Sequence, residues 1–234
     1  MAESQAANVV AIVQARTGSA RLPNKSMRIL HGIPIIEWVY RRMKQLKHTD
    51  RLTFAIPESS RDDELAAFLN KLGAHVYRGS ELDVLDRFYN AALKYNANLV
   101  VRICADSPLV SASEVDRLIC FYQKSDCDYA YNHIPRCNNY PDGLGAEITS
   151  FEILKTIHQE TIKKMHREHI FDSIWDQKDR FLIATFDPED QRLFHPELKL
   201  DIDTLEDLDR LEGQKINIDM APHEIIAALI DESA

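Results

Sequence analysis

The sequence has 234 residues and a formal net charge of -9, and 45% of its residues are hydrophobic while 28% are charged. This balance is typical of a globular protein with one large α/β domain, or with one domain and a small appendage. The acidic balance argues against a nucleic-acid partner, which requires a basic face.

No apolar run approaches the ~18 residues of a membrane span, and no signal-peptide pattern opens the chain, so we expect a cytoplasmic protein without a membrane partner. The four cysteines lack C-x-x-C spacing and are expected to be reduced thiols.

The first predicted element is a buried parallel strand at residues 9–13, which leads into the loop QARTGSARLPNK at residues 14–25. Residues 4–36 contain no Asp or Glu, but they contain four cations, Arg16, Arg21, Lys25 and Arg28. Positive charge concentrated on a glycine-containing loop of an acidic protein predicts a site for a polyphosphate. The loop is neither a Walker A loop nor the dinucleotide fingerprint G-x-G-x-x-G.

Helices and strands alternate after this loop. Apolar residues at helical spacing follow Pro34, a strand is predicted at residues 52–56, a second helix at 65–72, and a short strand at 74–77. Because β-α-β units cross over with a right-handed turn, this alternation predicts a Rossmann-like three-layer α/β/α fold with a mostly parallel sheet.

The next predicted strand, residues 99–104, ends just before Asp106. In open α/β sheets ligands bind at the carboxyl ends of strands, so Asp106 is expected to face the same crevice as the first loop. A helix N-cap or Asx turn is the alternative explanation of this residue. Ser113 and Asp116 are predicted as a capping pair for the helix that follows.

The second half contains an irregular stretch, residues 132–145, which is rich in Pro, Gly and Asn and predicts a substrate loop. The other predicted elements are a strand at 129–131, helices at 151–161 and 167–177, and strands at 181–186 and 199–204. On the last strand Asp201 and Asp203 are two apart and share a face, and solvated acids at a strand end are the alternative. Thr204 and Asp207 can cap the next helix.

The first loop matches the signature A-R-x-x-S-x-R-L-x-x-K of the cytidylyltransferases that activate 2-keto sugar acids. The matching residues are Ala15, Arg16, Ser19, Arg21, Leu22 and Lys25. The sequence most resembles the branch called spore coat polysaccharide biosynthesis protein F, which is related to the acylneuraminate and Kdo cytidylyltransferases. The resemblance covers about residues 9–211 and implies a nucleotidyltransferase fold. A solvated basic turn is the alternative for the loop.

The resemblance also implies a set of site residues. Those expected at the nucleotide are Ala15, Arg16, Gly18, Ser19, Lys25, Arg78, Asp83 and Val84, with Arg16, Lys25 and Arg21 in catalysis. Those expected at the acceptor are Arg21, Asp142, Glu147 and His169, and those expected to hold Mg²⁺ are Asp106, Asp203 and, second to them, Asp201. Ala105 stands where the family usually has glycine, and Gly145 replaces an acidic residue, which leaves the acceptor open.

The implied activity is transfer of CMP from CTP to a sugar acid, with release of pyrophosphate, for cell-surface polysaccharide. A phosphorylated or phosphonate acceptor stays open. One alternative is a glycosyltransferase, because residues 201–203 read D-x-D, and another is a non-catalytic nucleotide-binding protein. We expect a nucleotidyltransferase domain at residues 1–212 with an acceptor and dimerisation insertion at 132–180, a helical extension at 213–234, and, from the relatives, a homodimer.

Overall fold

Residues 7–19 and 21–230 are described in the computed structural model of the protein. The strands are β1 (Val9–Gln14), β2 (Ile29–Leu30), β3 (Ile33–Pro34), β4 (Arg51–Pro57), β5 (His75–Gly79), β6 (Leu99–Cys104), β7 (Tyr129–Tyr131), β8 (Glu147–Ser150) and β9 (Ile183–Thr185). The α-helices are α1 (Ile35–Met43), α2 (Asp63–Lys71), α3 (Val84–Lys94), α4 (Ala112–Lys124), α5 (Phe151–Glu160), α6 (Lys164–Glu168), α7 (Asp172–Trp175), α8 (Leu205–Glu212) and α9 (Pro222–Ile230). Within these two ranges no helix has both the length and the apolar character of a membrane span.

Seven of the described strands form one sheet in the order β5-β4-β1-β6-β8-β7-β9, and β2 pairs with β3 in a separate hairpin. The first four strands in that order are parallel, β8 is antiparallel to both of its neighbours, and β9 is parallel to β7. The predicted Rossmann-like architecture with a mostly parallel sheet is therefore confirmed. Because β8 runs against β6, its first residue, Glu147, pairs with Arg102 near the end of β6.

Helices cover both faces of the sheet, as the alternation of elements predicts. On β1, Val9, Ala11 and Val13 pack in the cluster that contains α1, α2 and α4, whereas Val10 and Ile12 pack with α3 and α5. All five side chains are at most 2% exposed, so the continuous apolar run reflects burial on both faces. Burial of one Val or Ile contributes about 1.5–3 kcal/mol through removal of apolar surface from water.

A third apolar cluster joins the C-terminal segment to α1 and to the hairpin of β2 and β3. Leu208 of α8 and Ile225 of α9 pack there with Trp38 of α1 and with Tyr140. Trp38 is fully buried, and its indole N–H donates to the backbone carbonyl of Leu30 at 2.9 Å. The last described helix, α9, is thus packed on the rest of the protein.

The predicted strand at residues 199–204 is wrong, because the segment is extended but joins no sheet. Its backbone donates from Leu200 to the carbonyl of Asp142 and from Ile202 to the carbonyl of Asp106, both at 2.8 Å. The segment therefore pairs with two loops. An alternating sequence does not show whether the partner of a segment is a loop or a strand. Since Leu200 and Ile202 are fully buried, the two acids that alternate with them still share the opposite side.

The capping pair predicted at Ser113 and Asp116 is also wrong, because α4 begins earlier than expected. Ser111 is the N-cap, and its hydroxyl accepts the backbone N–H of Glu114 at 3.4 Å. Asp116 is buried and accepts two backbone N–H groups in the loop after α1 instead. Its carboxylate therefore fixes a tertiary contact and leaves the cap to Ser111.

The helix predicted at residues 167–177 is divided into α6 and α7. Ile170 and Phe171, between the two, are at most 2% exposed and pack in the cluster with α3 and α5. His169, directly after α6, has a φ of -107° and a ψ of 88°, which lie outside the helical region and end the helix there. The strand predicted at residues 181–186 is limited to β9.

One predicted helix start and the state of the cysteines are confirmed. Thr204 and Asp207 form a capping box at the start of α8. Asp83 is the N-cap of α3, and its carboxylate accepts the backbone N–H of Asp86 at 2.9 Å. The four cysteines, all within the described ranges, are free thiols.

A buried arginine ties α1 to the C-terminal segment. Arg42 is 5% exposed and donates to the backbone carbonyls of Val110, Ile218 and Met220 at 2.8, 3.1 and 3.0 Å. Each of these carbonyls lies outside regular structure, so the arginine supplies hydrogen bonds that no strand or helix provides.

We expect Arg42→Met to lower the free energy of unfolding by about 2–4 kcal/mol, because three backbone carbonyls lose their donor. The matched control is Arg41→Met on the outer side of the same helix, where the side chain is 53% exposed. The control should change the free energy of unfolding by less than about 1 kcal/mol. Urea denaturation followed by circular dichroism measures both, and equal losses in the two variants would contradict the role of Arg42.

Candidate functional site

Two adjoining cavities open where β1 and β6 end. The first, which we call the loop cavity, has a volume of about 310 Å³ and is lined by the first loop through Ala15, Arg16, Ser19 and Lys25. The second, which we call the acid cavity, has a volume of about 270 Å³ and is lined by Asp106, Asp142, Asp201, Asp203, His133 and Glu147. Four residues line both cavities and so mark their junction: Arg21, Arg102, Cys104 and Asp106.

Lys25 connects the basic loop to two acids at this junction. Its Nζ lies 3.0 Å from Asp106 Oδ2 and 3.0 Å from Asp203 Oδ1, which are 81 and 178 residues away in the sequence. Arg21 Nη2 donates to the same Oδ1 of Asp203 at 2.8 Å. Burial alone would lower the pKa of Lys25, but the two carboxylates raise it above its ordinary value. The ammonium is therefore charged and shared between both acids.

The loop is held in place by a buried carboxylate. Asp62 is 2% exposed and accepts the backbone N–H of Thr17 at 2.8 Å and its hydroxyl at 3.0 Å. Asn24 has a φ of 59°, a left-handed conformation that Asn tolerates, and it precedes the short helical turn that begins at Lys25. A Cβ at Gly18 would meet no atom of the described residues within 4 Å.

Asp142 and Asp201 complete the wall of the acid cavity. Burial, and after it the charge of Asp142, raises the pKa of Asp201 to about 7, and burial also raises the pKa of Asp142. Gly143 has a φ of +86°, and a Cβ there would lie 2.9 Å from the backbone nitrogen of Asp201. Only glycine allows the loop to approach the acidic segment this closely. The carboxylates are thus crowded together and favour a positive charge among them.

These oxygen donors fit a hard divalent cation such as Mg²⁺. Asp201 Oδ1 is buried and accepts no hydrogen bond from the described residues, although Lys199 Nζ lies 3.8 Å away. Within residues 7–19 and 21–230 no three His, Cys, Asp or Glu side chains stand ready to hold a metal as they are placed. Lys25 lies between the two acids predicted as metal ligands, so a cation that binds both of them must displace its ammonium.

The segment after α5 lies against the first loop. Arg16 Nη2 donates to Glu168 Oε1 at 3.1 Å, and Arg167 Nε donates to Asp83 Oδ2 at 2.6 Å. His169 lines the loop cavity, so the structure brings this predicted residue to the loop rather than to the acid cavity. Arg16 is therefore paired with a carboxylate, as Lys25 is.

Four residues predicted at the nucleotide do not line either cavity, and one of them is Gly18 of the first loop. The guanidinium of Arg78 donates to the carbonyls of Pro57 and Ser59, and Val84 is 2% exposed in the apolar core. Asp83 caps α3 with one carboxylate oxygen and binds an arginine with the other. Their contact with a nucleotide stays a prediction.

Arg102 is a residue of the junction that the motifs did not include. Its Nε donates to Gln14 Oε1 at 3.0 Å, and its Nη1 donates to Glu147 Oε2. Glu147 Oε1 in turn accepts from the hydroxyl of Tyr129. Burial alone would raise the pKa of Glu147, but Arg102 and its other neighbours lower it. The sequence signal was an arginine inside the apolar strand LVVRIC.

Comparison with known proteins places this site in context. A family model described as Cytidylyltransferase matches residues 10–221. An uncharacterized protein of Methanocaldococcus jannaschii is 35% identical over 217 residues, which cover 91% of this chain and 87% of that protein. The spore coat polysaccharide biosynthesis protein SpsF of Bacillus subtilis is 29% identical over 211 residues, which cover 88% of this chain and 85% of that protein.

Two solved structures share the fold. A cytidylyltransferase from Leptospira borgpetersenii matches with a TM-score of 0.86 and 24% identity, over 97% of this chain and 95% of that one. A CMP:2-keto-3-deoxy-manno-octonic acid synthetase complexed with CTP matches with a TM-score of 0.65 and 17% identity, over 88% of this chain and 97% of that one. These similarities confirm the predicted nucleotidyltransferase fold.

We expect Lys25→Met to tighten the binding of Mn²⁺ to the ligand-free protein about 10-fold, because the ammonium no longer neutralises two carboxylates. The matched control is Arg28→Met, which removes an exposed cation of the same basic stretch and should change Mn²⁺ affinity less than about 2-fold. Titration followed by electron paramagnetic resonance measures free Mn²⁺ in both cases. Equal affinities in the two variants would show that Lys25 does not compete with a cation.

Proposed function

This chain belongs to the cytidylyltransferase family, and from that premise we propose that it transfers CMP from CTP to a hydroxyl of a 2-keto sugar acid and releases pyrophosphate. The observation that carries the proposal is the junction of the two cavities. There Lys25 of the family's loop signature meets Asp106 and Asp203. A phosphate-binding cation and two acids from distant segments are the parts that a nucleotidyl transfer requires at one place.

In this proposal the triphosphate lies in the loop cavity. Arg16 and Lys25 bind phosphate oxygens. Arg16 then gives up its hydrogen bond to Glu168, and Lys25 gives up its hydrogen bond to Asp106. The loop is already fixed by Asp62, so little further ordering is needed when the nucleotide binds. The preference for the cytosine base is inferred from the family.

The acceptor lies in the acid cavity, with its hydroxyl directed to the junction. The hydroxyl oxygen attacks the α-phosphorus of CTP in line and loses its proton to solvent, a new P–O bond forms, and the bond to pyrophosphate breaks. Asp106 and Asp203, with Asp201, would hold Mg²⁺, which when bound offsets charge on the phosphate oxygens and lowers the pKa of a hydroxyl. Arg21 lines both cavities and stabilises charge on the phosphate under attack.

The two alternatives explain less of the site. The glycosyltransferase alternative depends on the letters D-x-D at residues 201–203, and it leaves the basic loop without a purpose. A non-catalytic nucleotide-binding protein needs no acid cavity beside the loop. Family membership and the arrangement at Lys25 therefore both favour the cytidylyltransferase.

The direct test is pyrophosphate release with Mg²⁺, with each of the four nucleoside triphosphates against a panel of 2-keto sugar acids and phosphorylated or phosphonate acceptors. We expect release that requires both CTP and a sugar acid. Equal release with all four triphosphates would contradict the base preference. Binding of CTP without release for any acceptor would favour the non-catalytic alternative.

Asp203→Asn is expected to lower kcat at least about 100-fold, because the junction loses a charged carboxylate that binds Lys25 and would bind the cation. The variant should keep the circular dichroism spectrum of the parent protein. Asp209→Asn, an exposed residue of the same helical region, is the control and should retain kcat within about 2-fold. Unchanged turnover in Asp203→Asn would remove this residue from the site.

A further inference from the structure

Arg102 is a fixed cation at the junction of the loop cavity and the acid cavity. It lines both cavities, and its side chain is 17% exposed. Val100 and Arg102 lie on the same face of β6. Val100 packs in the apolar cluster with α3 and α5, and Arg102, nearer the end of the strand, lines the cavities. An arginine in that place interrupts an otherwise apolar strand, at a cost in desolvation that its partners must offset.

The partners of Arg102 fix its orientation and leave one nitrogen for a ligand. Gln14 accepts from Nε, and Glu147 accepts from Nη1. Both oxygens of Glu147 are occupied, one by Arg102 and one by Tyr129. Nη2 makes no hydrogen bond to the described residues and is not among their buried unpaired atoms. Two fixed bonds thus hold a guanidinium whose remaining donor is accessible at the junction.

The arginines of the acid cavity determine where an anionic group can bind in it. Arg21 and Arg102 are the two arginines that line the cavity. Arg21 is bound to Asp203, and its side chain is 66% exposed, whereas Arg102 is held rigidly by neutral and acidic partners from two strands. A negatively charged group that enters among four aspartates binds best at a rigid cation with a free donor.

We propose that Arg102 determines acceptor specificity by donating from Nη2 to the carboxylate of the sugar acid. The inference rests on the proposed function and names the group that recognises its acceptor. The loop cavity already offers Arg16 and Lys25 for phosphate oxygens, so Arg102 is assigned to the acceptor. Arg102 then distinguishes an ionised acceptor from a neutral analogue of the same shape.

The test separates acceptor binding from the structural role of the ion pair. Arg102→Met alone would leave the Glu147 carboxylate buried without its partner, so the informative variant is Arg102→Met combined with Glu147→Gln. This pair removes both charges at similar volume and keeps an acceptor for the hydroxyl of Tyr129. Glu147→Gln alone shows what the loss of that carboxylate contributes. Arg41→Met, at an exposed arginine outside both cavities, is the control, and Arg102→Lys retains the charge but removes the planar fork.

The acceptors are 3-deoxy-manno-octulosonate and N-acetylneuraminate, each compared with its C1 amide. We expect the double variant to raise the KM of the acid about 10- to 100-fold and to lose discrimination against the amide, because one charge-assisted hydrogen bond is lost. The KM of CTP should stay within about 2-fold. Glu147→Gln alone should still discriminate against the amide, because Arg102 keeps its charge, and Arg41→Met should leave the acid KM within about 2-fold. Arg102→Lys should give an intermediate KM.

Two results would overturn the inference while the proposed function stands. One is a double variant that retains the parent KM and discrimination, and the other is a parent protein that uses acid and amide equally. If the double variant does not fold, Arg102→Lys decides alone, and an unchanged acid KM in it overturns the inference. A parent protein that releases no pyrophosphate with any acceptor would remove the proposed function and this inference with it.

Discussion

The hydrogen-bonded ion cluster around Lys25 is the interaction on which the candidate site depends. One ammonium joins the first loop, the loop after β6 and the extended segment at residues 199–204. Arg21 adds a second bond to Asp203, and Arg16 is paired with Glu168. The cations of the crevice are thus paired with carboxylates of the protein itself. A polyphosphate that binds the cations must release acids, and a divalent cation can then take up those acids. In the proposed function, the two substrates and the metal are therefore coupled through one lysine.

The fold was predictable from the sequence because its signals are local. The apolar run of β1, buried on both faces, and the helical spacing after Pro34 reveal alternating strands and helices without any tertiary information. Parallel strands then bring their following loops to one edge. For this reason the loop at residues 14–25 and Asp106 were expected in one crevice, and the structure brings them within hydrogen-bond distance.

The parts that sequence reasoning missed depend on contacts between distant segments. Residues 199–204 alternate like a strand, but they pair with loops, because the backbone of Ile202 reaches Asp106. Asp116 has the spacing from Ser113 that a capping box requires, but α4 begins earlier, and its carboxylate binds backbone in another loop. Arg102 carries no motif, and its place follows only from the pairing of β6 with β8. Where a side chain has two available partners, the tertiary structure determines which of them it binds, and the spacing of residues in the sequence does not specify that choice.

The most direct test of the account is a crystal structure with Mg²⁺ and a CTP analogue that has a methylene group between the α- and β-phosphorus atoms. The account predicts that the triphosphate lies in the loop cavity and that Lys25 Nζ donates to a phosphate oxygen. In the ligand-free protein this nitrogen lies 3.0 Å from both Asp106 and Asp203. A nucleotide bound outside the loop cavity, or a bound nucleotide with both of these contacts unchanged, would contradict the account.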